Sequence, residues 1–223
     1  KNGVVDISKA INISEQFEVS KQFWASLVSQ GKLKNIDFIN SVPHYSFVHG
    51  ESNVNFLKKR FDAMSAQPIF KDMTFSADFT QLKEWFPLMM ENRDEATPIA
   101  ATEMKLGTDV NFGKLTSDLI NYLDTFEDVT IHYKCDVKDI EREGKGWEVE
   151  IKDLTTGKEY DVKTGFVFIG AGGGALPLLS KSGIPEVEGY GGFPVGGQWL
   201  RCTNPEVIEN HEAKVYGKAA IGA

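Results

Sequence analysis

The run "FVFIGAGGGAL", residues 166–176, constrains this chain more than any other stretch. Four consecutive apolar residues, Phe166 to Ile169, predict a strand covered on both faces, as in a parallel sheet flanked by helices. Four glycines follow within residues 170–174, and bare backbone of this kind lets the chain approach a neighbour or a ligand closely. Gly170, Gly172 and Ala175 fit the spacing G-x-G-x-x-A of a dinucleotide-binding turn. The full fingerprint also requires a long helix and, about 20 residues on, a strand ending in an acidic residue for a ribose. Pro177 stands in the helix start, and Glu186 and Glu188 lie in loop-forming sequence. The run is a poor first fingerprint, and a packed strand-to-helix turn fits its composition equally well.

The rest of the chain narrows the choice. Residues 8–30 place Ile11, Ile13, Phe17, Phe23, Trp24, Leu27 and Val28 near helical spacing, with Gly31 positioned to end the helix, so the aromatic stripe reads as core. "FINSVPHYSFVHG" predicts extended chain, since β-branched and aromatic residues dominate and Pro43 forbids a helix interior. Ser52 or Asn53 is expected to cap a second helix, and Pro87 to kink or end a third apolar patch. "GTDVNFGKLTSDLINYLDTF" predicts a tight loop opening a helix with Leu115, Leu119, Ile120 and Leu123 on one face. "VTIHYKC", "VKDIER" and "WEVEIKD" predict an antiparallel meander with turns at "EGKG" and "TTGK". A glycine turn directly after a meander is the arrangement found late in the FAD domain of two-dinucleotide-binding-domain flavoproteins. On that reading the first fingerprint belongs upstream of Lys1. The opening without Met and the close on "KAAIGA" agree with an internal segment of a longer protein.

Composition excludes several classes. The chain has 223 residues, 41% of them apolar, which suffices for a core. A net charge of −8, with no basic block longer than Lys58–Arg60, argues against a nucleic-acid partner. No apolar run approaches the roughly 18 to 20 residues of a bilayer span. Cys135 and Cys202 follow no metal-ligand spacing and read as free thiols, so the expected compartment is the cytoplasm, and no metal site is expected.

Several long stretches carry a resemblance. "INISEQFEVSKQFW", "FINSVPHYSFVHG", "NVNFLKKRFDAM", "EWFPLMMENRD", "GTDVNFGKLT", "FVFIGAGGGALPLL", "GGFPVGGQWL" and "HEAKVYGKA" together resemble the malate:quinone oxidoreductase family, FAD enzymes of the glycine-oxidase-like superfamily. Close relatives acting on L-lactate share these motifs. The resemblance implies oxidation of the 2-hydroxyl of malate to oxaloacetate, a tricarboxylic acid cycle step, with electrons passed to a membrane quinone. Other expected partners are a similar L-2-hydroxy acid and, through the parent protein, the inner face of the cytoplasmic membrane as a peripheral enzyme. Family members carry an N-terminal G-x-G-x-x-G turn and a C-terminal glycine-rich FAD motif outside this sequence. FAD therefore belongs to the parent, and the chain alone is expected to be inactive and without it; a non-catalytic binding module is the alternative. The expected fold is α+β: a substrate-binding domain with a mixed or antiparallel sheet and helices, plus part of a two-dinucleotide-binding-type FAD domain. Residues 1–126 would be mainly substrate domain, 127–176 the meander and second glycine turn, and 177–223 a return to the substrate domain.

Candidate residues follow from that chemistry. Hydride leaves the hydroxyl-bearing carbon for the flavin, so a base must take the hydroxyl proton and cations must hold carboxylate. His44 and His49 are the candidate catalytic residues; their odd spacing puts them on opposite faces of a regular strand, so one is expected to face the site. Arg93 is a candidate carboxylate fork, whereas Arg60, within the basic triplet, reads as a solvated helix face. Thr108, Asp109 and Asn111, held between two glycines, are candidate substrate-binding residues, with helix capping an adequate alternative for Asn111. On the cofactor side the resemblance implies Val137, meeting the adenine through its backbone, and Gly170, Ala171 and Gly172.

Overall fold

The computed structural model describes residues 5–34 and 36–218, and they form two compact units, one of the described residues up to 126 together with those from 201 on, the other of residues 127–200. The fold is mixed α+β. The second unit runs to residue 200.

The first unit opens with helix α1, Ser8–Ser29. Its half-buried positions, Ser14, Phe17, Trp24 and Val28 around buried Leu27, recur at helical spacing. Gly31, at φ 69°, reverses the chain: its N–H donates to the Val28 carbonyl and that of Lys32 to the Leu27 carbonyl. Leu27, Leu33, Phe38 and Leu115 then form one core cluster. Short strand β1, Ile39–Ser41, pairs antiparallel with β5, Thr108–Val110. Asn111 caps α5, Phe112–Leu123, accepting from the Lys114 N–H at 2.9 Å. The expected loop before this helix is thus a strand, and Gly113 lies inside the helix.

A four-stranded mixed sheet dominates the unit. Strand β2, His44–His49, is flanked by β4, Ile99–Met104, antiparallel to it, and by β9, Lys214–Gly217, parallel to it; β3, Thr74–Ser76, completes the order β3-β4-β2-β9. Both faces are covered, which is why the β4 residues Ile99–Glu103 are all buried. Tyr45, Phe47, Ile99 and Ala101 pack against Leu82, Phe86 and Met90 of α3, Phe79–Trp85, its junction, and α4, Pro87–Met90. Pro87 ends α3 as expected from sequence. Val48 and Ala100 pack on the other face against Leu57 of α2, Glu51–Ser65. The N-cap of α2 is Gly50, not Ser52 or Asn53: no side chain caps this helix, and the Asn53 side chain donates instead to the His49 carbonyl at 3.0 Å. A short helix α7, Pro205–Glu209, precedes β9 in the chain.

The second unit is an antiparallel meander of β6, Cys135–Glu143, β7, Gly146–Asp153, and β8, Glu159–Thr164, followed by helix α6, Ala175–Lys181. Ile140 and Val149 are its buried residues on one sheet face, and α6 packs on β6. Two expectations fail here. Residues 129–134 form no strand, since no described strand pairs with them and Lys134, at φ 55°, breaks the extended path; the third strand is the polar segment "EYDVKT". The run Phe166–Ile169 is likewise no strand and is covered on one side only. Val167 and Ile169 turn inward, while Phe166 and Phe168 are 76% and 83% exposed, because no described strand pairs with the run. Both cysteines are free.

Candidate functional site

Alternation along β2 separates two kinds of chemistry. Tyr45 and Phe47 enter the aromatic core, where the Tyr45 hydroxyl donates to buried Glu103 at 3.0 Å and Thr74 donates to its other oxygen at 3.2 Å. Burial and the Glu103 carboxylate push the Tyr45 hydroxyl above its ordinary titration range. His44 and Ser46 point the other way, into a cavity of ≈ 510 Å³. That is the size of a small-molecule site.

The cavity is built by register. In the antiparallel pairing, Met104 and Thr102 stand opposite His44 and Ser46; in the parallel pairing, Lys214 and Tyr216 do. All of these line the cavity, which α2 and α1 complete with Arg60, Phe61 and Phe17. The His44 ring stacks on Tyr216, centroids 5.0 Å apart and planes at 17°. Burial, and secondly the positive charge of Lys214, hold the His44 imidazole below its ordinary pKa. The ring is therefore neutral at neutral pH, with one nitrogen able to accept a proton.

Gly107 fixes the wall beside His44. Its N–H donates to the Met104 carbonyl, and its carbonyl accepts from Val42 at 3.0 Å. A Cβ there would sit 2.3 Å from the Val42 oxygen and 2.8 Å from the His44 nitrogen, so only glycine allows this approach. Thr108 follows in the cavity wall, its carbonyl oxygen 3.5 Å from the Lys214 Nζ.

The structure brings together two of the substrate-side candidates, His44 and Thr108. His49 sits at the exposed far end of β2, opposite Ile99. Arg93 donates from Nε to the Met89 carbonyl at 2.6 Å, and its guanidinium lies 4.6 Å over the Phe47 ring, so it is engaged with the aromatic core rather than the cavity. Asp109 is exposed on β5, and Asn111 is the cap of α5. Sequence reasoning missed Lys214 and Tyr216, which reach His44 only through the parallel strand pairing. It also set Arg60 on a solvated face, although Leu57, Arg60, Phe61 and Met64 follow the i, i+3, i+4, i+7 pattern of one helix face and all line the cavity.

In the second unit, Val137 lies half-buried on edge strand β6, beside an irregularity in the β6–β7 register. Gly170, Ala171 and Gly172 are exposed. Gly172 adopts φ 53°, and a Cβ built on it would meet nothing within 4 Å. Residues 166–176 carry no charged side chain, so this bare backbone leaves room for a large polar group. One surface of the meander, by contrast, gathers Asp139, Glu141, Glu148, Glu150 and Asp161, which repels phosphate. Among the described residues no group of three His, Cys, Asp or Glu side chains is placed to hold a metal ion, and no helix is long and apolar enough to cross a membrane.

Comparison with known proteins gives this arrangement its context. Residues 1–223 match the family described as Malate:quinone oxidoreductase. The chain belongs to the malate:quinone oxidoreductase family. Proteins named "Probable malate:quinone oxidoreductase" from Flavobacterium johnsoniae and a Geobacillus species are each 57% identical to it over 224 residues, and one from Pseudomonas fluorescens is 52% identical over 223. Each alignment covers all of this chain and 45%, 44% and 44% of the respective relative. The chain thus spans a little under half the length of these malate:quinone oxidoreductases, and both the cavity and the glycine turn lie within the matched residues.

Proposed function

We propose that the full-length protein oxidises (S)-malate to oxaloacetate with FAD and passes the electrons to a membrane quinone. The observation that carries this reading is the match to malate:quinone oxidoreductases across all 223 residues. The geometry agrees with it: a neutral imidazole and unpaired cations share one cavity of suitable size.

In this reading the hydroxy acid occupies the cavity of the first unit. His44 accepts the proton of the 2-hydroxyl, a role that a ring held neutral by burial can fill at neutral pH. Tyr216 holds the ring plane by stacking, Lys214 and Arg60 attract the anion, and the apolar wall from Phe17, Phe61 and Met104 keeps water away. FAD, when bound, supplies the two-electron acceptor for the hydride leaving the substrate carbon. The second unit fits part of such a cofactor, with the backbone of Val137 on an edge strand and the open turn at residues 170–172 as its contacts. The first unit is then the substrate domain and the second a portion of the FAD domain. The protein works peripherally at the inner face of the cytoplasmic membrane.

The test is anaerobic flavin bleaching of the full-length protein by L-malate, L-lactate and L-2-hydroxyglutarate, each added alone. Bleaching by malate supports the reading. Bleaching by lactate alone keeps the mechanism and replaces the substrate, and a full-length protein without bound flavin contradicts the proposal.

A further inference from the structure

We propose that Arg60 and Lys214 divide the recognition of a dicarboxylate between them: Lys214 holds the carboxylate next to the reacting carbon, and Arg60 the distal one. This makes Arg60 the residue that separates malate from lactate, and it rests on the reading of the cavity as the hydroxy-acid site.

Charge pairing carries the argument first. Among the described residues the lysines 21, 58, 114, 138, 152 and 163 each lie within 4.0 Å of a carboxylate, and of the cations that do not, all but Lys32, Arg60, Arg93 and Lys214 are exposed. Arg60 and Lys214 have no such partner among the described residues, although both are half-buried. Lys58, two residues earlier on the same helix, shows the contrast, bound to Asp62 at 2.6 Å. The single acidic side chain in the cavity wall, Glu18, is engaged by Lys21 at 2.5 Å. Two half-buried, unpaired cations on a largely apolar cavity call for anionic charge from a ligand.

Geometry assigns the roles. Lys214 is the direct cross-strand partner of His44, and its charge is felt at the imidazole. A base that takes the 2-hydroxyl proton sits beside the carbon that bears the first carboxylate, so that carboxylate falls to Lys214. Arg60 belongs to a different element, α2, which covers the same sheet face. Its planar fork suits a second carboxylate bidentately, and a substrate with a methyl group there offers it nothing.

The test uses the full-length flavoenzyme with Arg60→Gln, Arg60→Lys and Lys214→Met, each checked for wild-type flavin content. Losing a charge-assisted contact costs on the order of 10- to 100-fold in affinity, so Arg60→Gln is expected to lower the malate-to-lactate ratio of kcat/KM by at least about tenfold. Arg60→Lys should recover part of that ratio, and Lys214→Met should depress both substrates together. Calorimetric titration supplies a readout independent of turnover: Arg60→Gln should weaken oxaloacetate more than pyruvate. An unchanged ratio in Arg60→Gln together with unchanged oxaloacetate affinity overturns the assignment while leaving the malate reading intact. Failure of malate to bleach the wild-type flavin sinks the functional reading instead, and the calorimetric arm then judges the dicarboxylate site by itself. If Arg60→Gln loses flavin, the Arg60→Lys variant decides: a wild-type ratio there contradicts the fork.

Discussion

His44 owes its chemistry to two neighbours that act differently. Burial penalises the imidazolium, and the Lys214 ammonium repels it. An NMR titration of His44 in the full-length protein should therefore give a midpoint below the ordinary imidazole value of about 6.5. Replacing Lys214 by Met should move that midpoint upward without restoring it fully, since the burial contribution remains. The sign for stability follows: the folded state binds fewer protons at His44 than the unfolded state, so stability falls as pH drops below about 6.5 towards the folded-state pKa. Above that value the group contributes no pH dependence, and His44→Gln should flatten the acid side of a denaturation profile. Gly107 is a different residue-scale device. Gly107→Ala must push a Cβ into the Val42 carbonyl, 2.3 Å away, and displace the start of β2. We expect a loss of about 1–3 kcal/mol in chemical denaturation and a weakened response to malate.

At the scale of elements, the cavity depends on a sheet held from its opposite face. Phe86 is fully buried and meets Tyr45 and Phe47 edge-to-face at 5.3 and 5.6 Å. Phe86→Ala should cost about 3–5 kcal/mol of unfolding free energy, read as a lower denaturant midpoint. Asn111→Ala, which removes only the cap of α5, should cost about 1 kcal/mol. What was legible in the sequence tracks this scale. The Gly31 stop of α1, the Asn111 cap and the Pro87 break are local signals, and each operates in the structure, whereas Ile13 and Phe23 of the expected α1 stripe lie exposed. The strand "EYDVKT" carries only a weak signal, since its two alternating apolar residues, Tyr160 and Val162, stand among charged neighbours and remain exposed. Residues 129–134 have the β-branched composition of a strand without being one, because composition says nothing about whether a partner strand exists. Phe166–Ile169 failed for the same reason: its burial on two faces requires neighbours that the described residues do not contain. In the cavity, His44 and Thr108 were visible as polar residues in structured surroundings, whereas Lys214 and Tyr216 join them only through a parallel pairing between distant segments. Arg60 was misread because "KKR" looks uniform, while a helix turns its third residue onto the face shared by Leu57 and Met64.

At the scale of the whole molecule, hydroxy-acid chemistry is proposed for the first unit and cofactor contacts for the second. The glycine turn offers a separate check. Gly172 has φ 53°, a conformation a β-branched residue resists, so Gly172→Val in the full-length protein should lower flavin content. Normal flavin content in that variant would make the turn a packing feature. The measurement that tests the central claim most directly is rapid-mixing flavin reduction by L-malate in full-length His44→Gln, with flavin content measured in the same samples. A reduction rate about 100- to 10,000-fold slower, the range for losing a general base, is expected at unchanged flavin content. Reduction at the wild-type rate would contradict that claim and remove the cavity around His44 from the reaction.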